Sequence, residues 1–165
     1  MLRTHTCGQL SKKEAGKQVT LAGWADHIRL HGKIGFINLR DRYGITQTVL
    51  SQKLVEQVKD IKRESVLQIK GKVKTRPANL INKNMKTGEI EIEVSEINIL
   101  NNAEPIPLEL DESIQSTEET RLKYRYLDLR KPRLQQNLIT RHKMIKSIRD
   151  YLDSQQFIEI ETPML

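Results

Sequence analysis

Residues 34–50 read IGFINLRDRYGITQTVL. An extended strand sends successive side chains to opposite faces, so Ile37 and Leu39 share one face while Phe36 falls with Asn38 and Arg40 on the other. Asp41-Arg42-Tyr43-Gly44 is turn chemistry, and Ile45 to Leu50 then resumes as a strand, which predicts a β-hairpin. Phe36 is one of only two phenylalanines in 165 residues. Its place among polar neighbours has two explanations: a ligand is its partner, or a bulge rotates it into the core.

Outward from the hairpin, VTLAGWA (19–25) predicts a preceding strand, with Trp24 read as core because its neighbours are small. After the hairpin the period changes: Leu54, Val58 and Ile61 recur at helical spacing over 52–63. Strand signals return at 66–76 and 89–94, with a bulge expected near Ser95–Glu96 because Ile97 and Ile99 have changed phase. Three strands, a helix and two strands is the order of an OB-fold, a five-stranded Greek-key barrel.

Charge divides the chain into blocks. Residues 1–100 hold 18 Lys+Arg against 10 Asp+Glu, residues 101–120 hold six acidic and no basic residues, and residues 121–165 hold ten basic against five acidic. The middle block, NNAEPIPLELDESIQSTEET, contains two prolines and no sustained period, which reads as a hinge. The expected organisation is an OB domain over 1–102, a hinge over 103–120 and a further module from 121. That module opens with a helix from about Gln135 to Gln155, followed by a strand in FIEIETPML. The mainly β architecture thereby passes into α+β, and the chain reads as the front part of something longer.

Segregated basic modules point to nucleic acid as the polyanionic partner. The 66–76 strand is the most informative: Leu67, Ile69 and Val73 alternate with Lys70, Lys72, Lys74 and Arg76. That row of cations is either a groove for phosphates or a charged edge that blunts strand pairing. Glu89, Glu91 and Glu93 supply acceptors on the neighbouring strand. Phe36 adjoining Arg40 fits an exposed platform for a base, and Gln47 is either a base reader or a surface amide. The chemistry of an enzyme is otherwise missing. His5, His27, His31 and His142 have no metal-ligand spacing, no nucleophile elbow, P-loop or dinucleotide fingerprint occurs, and no catalytic residue is assigned. Cys7 is the sole cysteine, which excludes an internal disulfide and favours a reducing, cytoplasmic setting. No apolar run reaches the length of a membrane span.

Six blocks in order, TCGQL, VTLAGW, GFINLRDRYGITQ, NKNMKTGEIE, RLKYRYLDLRKP and FIEIETPML, resemble the bacterial-type aspartyl-tRNA synthetases of class IIb across essentially the whole chain. The resemblance implies an anticodon-binding OB domain, a hinge, and the first helix and strand (motif 1) of an antiparallel class II catalytic domain. Motifs 2 and 3, which bind ATP and activate aspartate, have no counterpart in these residues, so the 165-residue chain is expected to be inactive alone. ATP and Mg2+ are expected only in the complete enzyme, with aspartate tRNA, and also asparagine tRNA in a relaxed enzyme, as partner. A homodimer is implied through motif 1, where Ile145, Ile148, Ile160 and Pro163 fall.

Carried over residue by residue, Phe36 falls where the family stacks an aromatic on the central anticodon base and Gln47 where that base is read. Glu91 falls at the acidic position that meets the first anticodon base. Arg29, Arg76, Lys74 and Asn82 fall at RNA-facing positions. His31 falls where the side chain is associated with strict or relaxed tRNA choice. Two departures stand out. Lys74 replaces a common arginine, a point charge for a bidentate fork, and Leu80 replaces an expected asparagine. The competing readings are a free-standing OB protein for single strands and a pure interaction module built on motif 1.

Overall fold

The computed structural model describes residues 1–163. The chain divides into two compact units, Met1–Ile106 and Pro107–Leu165. The first unit is built on β1 (Gln18–His31), β2 (Ile34–Asp41), β3 (Gly44–Leu50), α1 (Gln52–Val58), β4 (Val66–Thr75) and β5 (Ile90–Asn101). These strands close into a barrel in the order β1-β2-β3-β5-β4. All neighbours pair antiparallel except β3 and β5, which run parallel. This is the OB topology that the element order predicts.

The alternation in the opening stretch is what the barrel uses. Gly35, Ile37, Leu39 and Asp41 are buried along β2, while Phe36, Asn38 and Arg40 between them are half-buried. Leu21, Ile37, Leu39, Leu50, Leu67, Ile69, Ile90 and Ile92 fill the interior with side chains at or near zero exposure. Two hydroxyls share that interior and stay satisfied: Thr48 Oγ1 donates to the Ile37 carbonyl at 2.9 Å and Thr46 Oγ1 to the Cys7 carbonyl at 2.5 Å. Buried polar groups without such partners would each cost free energy. Helix α1 plugs the barrel with Leu54, Val55 and Val58. It is shorter than the periodicity predicts, and Ile61 reaches the core from the turn beyond it.

Three register shifts shape the barrel, one of them at Leu100, between the pairs Val66↔Asn101 and Leu67↔Ile99. The β4–β5 register skips Ser95 between the pairs Lys70↔Glu96 and Gly71↔Val94, which is the expected bulge. A second bulge at Asp26, between Ala25 and His27, was not legible, and β1 continues past it to His31 rather than ending at Ala25. Trp24 also departs from expectation. It pairs with Arg40 across the strands and is half-buried on the outer face, with the Arg40 guanidinium 5.5 Å from its ring centroid. Small neighbours on β1 signal close strand approach here, not a cavity for an indole: a Cβ on Gly23 would lie 2.3 Å from the Arg40 carbonyl oxygen.

In the second unit α2 (Glu118–Lys123), α3 (Arg125–Asp128) and α4 (Pro132–Ser154) follow one another. Thr117 caps α2 by accepting from the Thr120 N–H, and Pro132 opens α4, where a missing N–H costs nothing. Asp128 is fully buried among Arg121, Arg125 and Lys131 at 3.2, 2.9 and 3.4 Å. Burial penalises its charge, but Arg121 and Lys131 outweigh that and hold the carboxyl below its ordinary range. The strand expected in FIEIETPML is not formed over 157–163, and Met164 and Leu165 lie outside the described residues. A strand needs a hydrogen-bonded neighbour, and the described part of this unit contains no other strand.

The alternation makes a direct test. Ile37→Ala deletes a fully buried side chain and should cost about 2–5 kcal/mol of stability, read as a lower urea midpoint with unchanged slope.

Candidate nucleic-acid interface

Two tight turns present the outer face. Between β1 and β2 the connection is Gly32-Lys33, with Gly32 at φ 56, a conformation that glycine adopts without strain. Between β2 and β3 the Asp41 carboxylate closes the turn, its Oδ1 accepting from the Tyr43 and Gly44 N–H groups at 2.8 and 3.1 Å. These turns set a register in which Arg29 of β1 lies opposite Phe36 of β2, and Phe36 lies opposite Val49 of β3.

The outward side chains are joined in a chain of polar contacts. The Arg29 guanidinium sits 5.8 Å from the Phe36 ring centroid, within cation–π range. Arg29 Nη2 donates to Gln47 Oε1 at 3.3 Å, and Gln47 Nε2 donates to Glu91 Oε2 at 3.4 Å. Glu91 Oε2 lies 3.6 Å from Arg76 Nε, which donates to the Ile90 carbonyl at 3.0 Å. The Arg76 side chain is only 5% exposed, and its Nη2 is buried with no acceptor. Burial pulls the Arg76 guanidinium below its ordinary pKa and Arg29 adds to this, while Glu91 opposes it. A groove of about 400 Å³ is lined by Arg29, His31, Phe36, Gln47, Arg76 and Glu91, with Ile34, Val49 and Leu80 also on its wall.

Six of the eight RNA-facing residues expected from sequence are thus brought together. The other two are not. Lys74 is bound to Glu93 on β5 and stands outside the lining. Asn82 spends its Oδ1 on the Asn84 N–H at 3.0 Å, and its backbone N–H on the Gly88 carbonyl at 3.1 Å, shaping the 82–88 loop. Of the row of four cations, Lys70 pairs with Glu96 at 2.9 Å and Lys74 with Glu93, both on β5. Arg76 lies beyond the end of β4 and turns into the groove. Sequence reasoning missed Ile34 as part of the wall, although its phase with Phe36 was legible. Ile34 is 49% exposed and Leu80 60%, so the groove carries apolar surface beside its charges.

A half-buried ring, a guanidinium beside it, an amide able to donate and accept, a carboxylate acceptor and a spare buried donor are what a single-strand reader needs: a stacking surface and base-edge partners on a closed barrel. The fold and the groove define an OB-type nucleic-acid-binding domain. A family model described as an OB-fold nucleic acid binding domain matches residues 19–100, and one described as tRNA synthetases class II (D, K and N) matches residues 117–165. The chain belongs to the aspartyl-tRNA synthetase family within that class.

Among curated proteins, it is 46% identical to the aspartate–tRNA(Asp/Asn) ligase of Natranaerobius thermophilus over 100% of this chain and 29% of that protein. It is 50% identical to the aspartate–tRNA ligase of Pseudothermotoga lettingae over 100% of this chain and 28% of that protein. Among solved structures, the asparaginyl-tRNA synthetase of Pyrococcus horikoshii superposes with a TM-score of 0.81 at 26% identity, covering 99% of this chain and 38% of that one. The chain therefore spans under a third of the length of these curated relatives. A free-standing OB protein is disfavoured, because the match to synthetases continues beyond the barrel.

Glu91→Gln should leave Arg76 buried without a countercharge. The expected cost is about 1–3 kcal/mol, measured by urea unfolding, with Glu93→Gln near neutral because its pair with Lys74 is exposed.

Proposed function

We propose that the barrel recognises the anticodon loop of aspartate tRNA on behalf of an aspartate–tRNA ligase. The observation that carries this is the continuous path Phe36–Arg29–Gln47–Glu91–Arg76 along one groove, drawn from β1, β2, β3, β5 and the segment after β4. In this reading Phe36 stacks on the central base. Gln47 offers that base one donor and one acceptor, and Glu91 accepts from the first base. Arg76, buried at the groove wall, holds the Glu91 carboxylate in place for that contact. Arg29 flanks the stacked base, and His31 at the turn bears on the choice between aspartate and asparagine tRNA. Relatives bearing both kinds of name support leaving both tRNAs as partners. Lys74 and Asn82 act indirectly, by fixing β5 and the 82–88 loop.

The complete enzyme would join aspartate to tRNA with ATP and Mg2+, through an aspartyl-adenylate. Among the described residues there is no group of three or more His, Cys, Asp or Glu side chains suited to hold a metal. Over α4 and the segment after it, Ile145 is half-buried and Ile148, Ile160 and Pro163 are exposed. This supports a self-association surface for the dimer of the complete enzyme. No helix of the described residues is long and apolar enough to cross a membrane, and the lone, buried thiol of Cys7 accords with a cytoplasmic setting.

The test separates binding from folding. Stacking on an aromatic is worth about 1–3 kcal/mol, whereas truncating a core phenylalanine costs about 3–5 kcal/mol of stability. Phe36→Ala should therefore melt close to the parent chain but bind an aspartate anticodon stem-loop roughly ten- to a hundredfold more weakly. Phe36→Leu, which keeps apolar bulk without the ring, should also bind weakly. An early-melting Phe36→Ala with normal affinity in its folded fraction would overturn the reading.

A further inference from the structure

The β2–β3 turn carries a second cluster that the groove does not use. The Tyr43 side chain is 50% exposed, and two guanidinium groups approach its ring, Arg42 at 5.0 Å and Arg3 at 5.5 Å from the centroid. Arg3 is also bound to Asp41 Oδ2 at 3.1 Å. Asp41 is saturated by that contact together with the Cys7, Tyr43 and Gly44 N–H groups. Arg42 is exposed and lies over the Tyr43 ring, with no carboxylate within ion-pair distance among the described residues. The turn is closely packed, with Gly8 so near that a Cβ there would lie 2.0 Å from the Tyr43 carbonyl oxygen. The 82–88 loop is tied to the same end of the barrel by Thr87 Oγ1 donating to the Ile45 carbonyl at 2.5 Å, and it brings exposed Lys83 and Lys86, neither with a carboxylate partner among the described residues.

We infer that this end of the barrel, Arg42 held against Tyr43 together with Lys83 and Lys86, is a second RNA contact that grips the phosphates of the duplex flanking the bound loop. The inference rests on the anticodon-loop reading above. Both ring–guanidinium distances are within cation–π range, so the ring steadies two forks rather than offering itself to a base. A planar guanidinium fixed in this way matches phosphate oxygens bidentately, with less freedom left to lose. Its location suits a neighbouring segment of the same RNA. Five residue steps along β2 from Phe36 to Asp41, at about 3.3 Å each, place the turn that carries Arg42 about 17 Å from Phe36, beyond the bases that the groove can hold. Phosphate contacts position without reading sequence, so this contact adds affinity for any stem.

Two RNAs distinguish the sites: a stem-loop with the aspartate anticodon, and its loop sequence as an unpaired oligonucleotide. Arg42→Gln and, separately, Lys86→Gln should each weaken the stem-loop several-fold and make its log affinity–log salt slope shallower by about 1, with binding of the unpaired loop unchanged. Arg42 is exposed over the Tyr43 ring, and Lys86→Gln alters a different element, so early melting of one variant leaves the other as the test. If both variants bind the stem-loop like the parent while Phe36→Ala binds weakly, the duplex contact is wrong and the anticodon reading stands. Equal losses on both RNAs would place the tip on the loop and overturn the inference. Unchanged binding by Phe36→Ala would instead remove the reading on which it rests.

Discussion

Everything in the first unit depends on the period-two alternation of β2 inside a closed barrel. Closure leaves an interior that must be filled by side chains and an exterior that cannot be. Once Ile37 and Leu39 are committed inward, Phe36 has no place in the core, and its neighbours across the sheet are fixed as well. Arg29, Phe36 and Val49 stand in one line across three strands, and Gln47 stands one outward position further along β3. The groove is a consequence of register. A one-residue slip of β2 would bury Phe36 and expose the core.

The contacts in the two regions of the barrel differ in kind. At the β2–β3 turn the Asp41 carboxylate accepts from backbone groups and Arg3 at 2.8–3.1 Å, ordinary distances for strong hydrogen bonds. In the groove the links between Arg29, Gln47, Glu91 and Arg76 run from 3.3 to 3.6 Å. Longer links hold side chains near one geometry while leaving their capacity available to a ligand. The buried, unmatched Nη2 of Arg76 is the extreme case. Glu91 and Arg76 belong to the fold as well as to the groove, so Phe36 is the position at which the proposed binding separates from folding.

The fold was legible because its strands alternate strongly and its turns carry recognisable chemistry. Even the Ser95 bulge showed, as a change of phase at Ile97 and Ile99. The Asp26 bulge did not, because DHIRLH after it is polar enough to read as a loop, and only pairing with β2 reveals it as strand. Trp24 was misread because a large aromatic next to small residues suggests core, whereas its partner is the Arg40 guanidinium. In the site, Phe36, Gln47 and Glu91 followed from alternation and resemblance together. Lys74 and Asn82 did not hold their places in the groove, because which carboxylate a lysine meets and which backbone group an asparagine caps are set by three-dimensional neighbours. The β4 cations looked like a phosphate track in one dimension, and β5 turned most of them into ion pairs.

The most direct measurement is a backbone amide resonance map of the 165-residue chain titrated with an aspartate anticodon stem-loop. The account predicts shifts concentrated at Arg29, His31, Phe36, Gln47, Arg76 and Glu91, with Lys70 and the outer face of β4 near silent. Shifts centred on the β4 lysines, with Phe36 and Gln47 unmoved at saturation, would contradict it.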